Sequence, residues 1–172
     1  MSRPAVVASA SVMALLALAC AGVAAPPPDR AAKGGKPAAF TTIVQRANPG
    51  QSGGQIRALA RDADTWRALW AELRKDGGEA LPAEPPAVAF GREMALVVAM
   101  PTQSCVSKVT IQSIRHLGNP TGGTLLVTLL EAPPAPNCRC IVASRPFHAV
   151  RLPRTAGIPR FVVTRGQTSC GS

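Results

Sequence analysis

The sequence predicts an α+β domain in which strand predominates: a mainly antiparallel or mixed β-sheet of about seven strands with one amphipathic helix, over about 62–76, packed on it. Three observations predict it. Short β-branched runs recur between Gly- and Pro-rich turns. A single stretch, Trp66, Leu69, Trp70 and Leu73, repeats its apolar residues at i, i+3, i+4 and i+7, the spacing of one helix face. Met94 to Met100 is apolar at every position, as a central strand covered on both faces must be.

Ahead of the domain, residues 1–19 read as a secretory signal. Arg3 is followed by the uncharged run 5–19, which at about fifteen residues is too short to span a bilayer comfortably but suits a signal core. Ala17-Leu18-Ala19-Cys20 resembles the bacterial lipoprotein box, in which the cysteine becomes the first residue and carries acyl chains, although Ala17 stands where leucine is usual. Ala17-x-Ala19 also suits an ordinary signal peptidase, as does a cut after Ala24 or Ala25. Cysteine arithmetic favours lipidation of Cys20: without it, Cys105, Cys138, Cys140 and Cys170 are an even set, enough for two disulfides in an oxidising compartment. Residues 20–39, rich in Ala, Pro, Gly and charge, form a tether reaching on the order of 25 Å as a coil. The three prolines at 26–28 exclude regular structure there.

The remainder, 40–172, is the size of one domain and contains no tyrosine, so aliphatic side chains must supply its packing. Phe40 to Val44 reads as a strand ending at Asn48-Pro49-Gly50, and Gln55 to Ala60 as its successor. Asp62 or Asp64 caps the helix and Gly77-Gly78 stops it. The two tryptophans are expected as core anchors rather than a ligand platform. After the Pro-rich stretch 82–86 come Val88-Ala89-Phe90, a Gly-Arg-Glu turn and the doubly apolar strand. Residues 105–117 and 124–130 read as a hairpin around Gly118 to Gly123, and Cys140 to Val142, Phe147 to Leu152 and Phe161 to Thr164 as the last strands.

Five pieces in this order resemble a known family: Phe40-Thr41-Thr42-Ile43, Trp66-x-x-Leu69-Trp70, Phe90-Gly91-Arg92-Glu93-Met94, Pro101-Thr102, and Pro146-Phe147-His148-Ala149-Val150-Arg151-Leu152-Pro153. Together they look like the C-terminal domain of PrcB-type protease-complex subunits, over essentially all of 40–165. The resemblance implies an exported or lipid-anchored accessory domain that binds or stabilises a surface protease or another envelope protein. The chain departs from the family after Pro101-Thr102, where Gln103-Ser104-Cys105 stands in place of Gly-Gly-Tyr.

The residues themselves point away from catalysis. Only His116 and His148 are present, there is no His-x-x-x-His pair, and no Gly-x-Ser-x-Gly elbow appears. His148 shares strand parity with Val150 and Leu152 and is expected as a partly buried structural histidine. Gly118 to Thr124 lacks the Gly-Lys-Ser/Thr ending of a phosphate loop. Zinc held by Cys138, Cys140 and His148 is disfavoured, because Cys-x-Cys is the wrong spacing and exported thiols are normally oxidised. Cys138 and Cys140 are too close to pair with each other, so their partners are Cys105 and Cys170, in either of two connectivities.

Charge is the remaining signal. Arg3 is the only charged residue before Cys20, so the chain from there on keeps 18 Lys and Arg against nine Asp and Glu, a net of +9. Every charge after Ala132 is positive: Arg139, Arg145, Arg151, Arg154, Arg160 and Arg165. Unless Pro146 intervenes, Arg139 and Arg145 share a strand face, giving a basic sheet surface for an acidic partner or an anionic polymer. Export and the shortage of stacking aromatics count against nucleic acid.

The expectation is an exported, lipid-anchored, non-enzymatic interaction domain of the bacterial cell envelope. It has a protein partner, a protease in the form the family implies, and needs no metal or cofactor. The alternative is a basic envelope module binding an anionic polymer or small ligand. A hydrolase dependent on His148 is the third reading.

Overall fold

The computed structural model describes residues 35–49, 52–75, 81–105, 107–119 and 122–170. The expected signal segment, Cys20, most of the expected tether, Gly50, Gly77-Gly78 and Pro120-Thr121 lie outside them. Among the described residues, eight strands and one helix follow in the order β1 (Lys36–Pro37), β2 (Thr41–Arg46), β3 (Ile56–Ala60), α1 (Ala63–Arg74), β4 (Glu93–Ala99), β5 (Lys108–Leu117), β6 (Thr124–Ala132), β7 (Phe147–Pro153) and β8 (Ile158–Arg165). They form two four-stranded sheets, ordered β1-β5-β6-β8 and β2-β7-β4-β3. All pairings are antiparallel except β6 with β8, which runs parallel because the chain crosses to the other sheet for β7 in between. The fold is therefore α+β and mainly sheet, as expected. The strands divide into two stacked sheets, and α1 covers the outer face of the second.

Period-two alternation explains the layering. On β4, Met94, Leu96 and Val98 face the first sheet, where they meet Val109, Ile111, Ile114, Leu125, Val127 and Leu129. Ala95, Val97 and Ala99 face the helix with Phe147 and Ala149 of β7. Small alanines on that side let Trp66, Trp70 and Leu73 approach the sheet closely. The chain thus buries two apolar layers, which is why β4 carries no polar residue beyond Glu93. A bulge between Ile111 and Ser113 keeps Ile114 pointing inward.

Helix α1 starts at Asp62, whose carboxylate accepts from the Thr65 N–H at 2.7 Å and the Thr65 hydroxyl at 3.0 Å. Both indoles lie in the core, with ring centroids 5.4 Å apart. The Pro-rich segment then completes the layer: the Trp70 and Trp66 N–H groups donate to the Pro82 and Pro86 carbonyls, each at 2.9 Å. A proline tract has carbonyls without N–H groups of its own, so it suits this acceptor role.

Two expectations are corrected. Cys140 to Val142 is not a strand: 138–146 is irregular and touches sheet geometry only through isolated bridges at Ser144. The fold also starts before residue 40, since Lys36 and Pro37 of the expected tether pair with His116 and Arg115.

Candidate interaction surface

The strand ends define two poles. At one stand the first residue of β1, the β5–β6 turn and the β7–β8 connection, so the chain enters the domain there. This is the N-terminal pole. At the other, the loops 47–55, 100–107 and 133–146 meet the tail 166–170. They are knit by bridges between Ser144 and both Pro49 and Gln103, and between Pro134 and Thr168.

Both disulfides lie at this second pole. Cys105 pairs with Cys140 and Cys138 with Cys170, with Cα–Cα distances of 5.2 and 5.1 Å. Of the two connectivities open to the sequence, this one joins the 133–146 loop to the 101–107 loop through Cys140 and to the tail through Cys138. All four cysteines after Cys20 are thereby spent in a pairing that fits an oxidising compartment. The cysteines and His148 form no common ligand set, and among the described residues no three of His, Cys, Asp and Glu gather where a metal could sit. Nor is any described helix long and apolar enough to cross a membrane.

No family model, curated protein or solved structure matches the chain. Function must be read from the side chains alone.

The loop between the disulfides presents its apolar residues outward. Ile141 is 103% exposed and Val142 44%. Exposed Arg139 precedes them, and Arg46, Lys108 and Arg165, also exposed, end or begin strands at the same pole. Beside them a cleft of about 360 Å³ opens where β2 and β5 diverge, lined by Gln45, Arg46, Ala47, Ser107, Lys108 and Thr168. Among the described residues, two carboxylates come near this pole. Glu131 accepts from Arg57 at 2.8 Å, and Glu72 pairs with Lys75 and lies 3.7 Å from Arg145.

The six arginines do not form one surface. Arg145 is only 1% exposed, so it shares no face with Arg139. Its guanidinium donates twice to the Gly54 carbonyl, at 2.9 and 3.1 Å, and once to the Glu72 carbonyl at 3.2 Å. It thereby ties the last turns of α1 to the 52–54 loop. Gly53 has φ +146°, and a Cβ there would lie 2.5 Å from the guanidinium carbon, so glycine is required. Arg154 is exposed but donates to the Arg61 and Phe90 carbonyls. Arg151 lies on the α1 side of its sheet, beside a second cleft of about 320 Å³ at the N-terminal pole that also holds Arg92 and Glu93. Arg160 lies on the outer face of the other sheet.

His148 is 3% exposed and faces the layer between the sheets. The Ile111 N–H donates to Nδ1 at 2.9 Å, which leaves the ring proton on Nε2, directed at the Thr42 hydroxyl 2.9 Å away. Gln45 does related work, donating to the Val109 carbonyl at 2.8 Å and the Thr110 hydroxyl at 2.9 Å. Together these side chains satisfy part of the β5 edge that the two-residue β1 leaves uncovered. Burial, aided by the Lys108 charge, lowers the His148 pKa to about 4. The histidine is a neutral strut between sheets. Its parity with Val150 and Leu152 was legible in the sequence, whereas Arg145, the Ile141 tip and the β2–β5 cleft were not.

Proposed function

We propose that this chain is an exported protein, anchored by lipid on Cys20, whose domain acts by binding another envelope protein. The PrcB-type resemblance gives the form of that role: a non-catalytic accessory or stabilising subunit of a surface protease. The observation that carries the reading is the pairing of Cys105 with Cys140 and Cys138 with Cys170. Two disulfides suit an oxidising compartment, and they leave Cys20 as the odd cysteine of the sequence, at a place where acylation would consume its thiol. His148 supports a binding role, because both its ring nitrogens serve the fold rather than facing solvent as a general base would.

Crosslinking of the native protein in its own cells, with mass spectrometry of what co-purifies, tests the reading. Reproducible recovery of one protease or envelope protein, linked to residues of 40–165, is the expected result. Recovery of the protein alone overturns it. A second reading rests on the cleft that pairs Arg46 and Lys108 with Gln45 and Ser107: a module binding an anionic polymer or small ligand. Its complex should dissociate steeply as salt rises, whereas one held by apolar burial should be far less sensitive.

A further inference from the structure

We infer that the disulfide pole is the docking face, and that its occupant is an acidic surface of a partner protein with an apolar pocket for Ile141. The inference rests on the interaction reading above and names the face and the chemistry of the partner.

Three observations carry it. First, Ile141 is 103% exposed at the tip of a loop whose two preceding cysteines are each bonded to a different segment. A branched aliphatic side chain left wholly in water gains nothing for this domain, and gains when buried elsewhere. Because covalent bonds already hold the loop, little ordering cost remains to be met on binding. Second, the exposed charges around the loop, among the described residues, are basic. Arg46, Lys108, Arg139 and Arg165 are exposed at this pole, while Glu72 and Glu131 are held by Lys75 and Arg57. Charge complementarity therefore selects an acidic partner. Third, the chain enters at Lys36, on the opposite pole. A lipid on Cys20 would join the domain at that opposite pole through the tether, which leaves the Ile141 tip at the end remote from the attachment. This geometry favours a protein over the chain's own membrane as the occupant.

The test places a photoreactive amino acid at position 141, and separately at 158, in the full-length chain expressed in its own cells. Ile158 is the control: it is 70% exposed but stands at the N-terminal pole. The expected result is a discrete adduct from 141 and none from 158, joined through a partner peptide that carries Asp or Glu. With the photoreactive residue moved to 142, Ile141→Ser should reduce the adduct about 10- to 100-fold, and Arg139→Glu should reduce it in a salt-dependent way. Both side chains are exposed, so thermal midpoints and disulfide content should stay at the parent's values. A partner linked from 158 but not from 141 overturns the docking face and leaves the interaction reading standing. Absence of protein adducts from both positions overturns both. Adducts of 141 with lipid, or co-sedimentation of the purified domain with phosphatidylglycerol-containing vesicles that Ile141→Ser abolishes, would show a membrane occupant instead and overturn the proposal. Adducts joining two copies of this chain overturn it equally.

Discussion

His148 and Arg145 show how the same residue types can belong to the fold or to the surface. His148 accepts the Ile111 N–H only while neutral, and burial holds its pKa near 4 against an ordinary 6.5. The sign follows from linkage. Between those values the unfolded chain takes up a proton that the folded chain refuses, so stability is complete above about pH 6.5 and declines toward pH 4. The decline should amount to about 3 kcal/mol. Urea denaturation at stepped pH should record it, and His148→Gln should flatten the slope across that window. Arg145 offers a test that does not depend on pH. Its guanidinium satisfies the Gly54 and Glu72 carbonyls inside the protein, so Arg145→Ala should cost about 3–5 kcal/mol in denaturant unfolding. Arg139→Ala, at an exposed position, should change stability by less than about 0.5 kcal/mol. An equal effect at both positions would contradict this assignment. Strand parity could not separate the two, because parity holds only for extended backbone and the 138–146 segment is not extended.

At the scale of elements, the helix and the doubly apolar β4 were legible because their periods leave one interpretation each. The division into two sheets was not, since alternation says that a face is buried but not which layer buries it. Strand β8 was read short for a related reason: Pro159 and Arg160 interrupt its apolar pattern, yet its parallel pairing with β6 runs from Ile158 to Arg165. Trp70 links the helix, the sheet and the Pro-rich segment, so Trp70→Ala should cost about 3–5 kcal/mol and open the segment 82–86 to faster proteolysis. Unchanged cleavage there would mean that the proline segment does not depend on the indole. The disulfides act on longer loops, with sequence separations of 35 and 32 residues. Each should contribute about 2–4 kcal/mol. Replacing Cys138 and Cys170 by serine should lower the thermal midpoint and free the tail while leaving β5 and β6 protected. The connectivity stayed open in the sequence because Cys138 and Cys140 are close enough for either to reach either partner. Cys105 is bonded to Cys140, the residue before Ile141, so together with Cys138–Cys170 it holds the loop of the candidate docking face.

Taken whole, the molecule has a polarity. The chain enters at one end, and the disulfides, the exposed Ile141 and a group of exposed basic side chains occupy the other. Such an arrangement suits a domain held to a surface at its N-terminal end and presenting the far end to a partner. Everything in that account depends on Cys20 being the lipid-bearing first residue of the mature chain. The most direct measurement is the intact mass of the mature protein from its own cells, followed by fragmentation without reduction. The predicted result is a chain starting at an acylated Cys20, with four hydrogens fewer than the reduced mass and the linkages Cys105–Cys140 and Cys138–Cys170. An unmodified chain starting downstream of Cys20, or free thiols among the four, would contradict it.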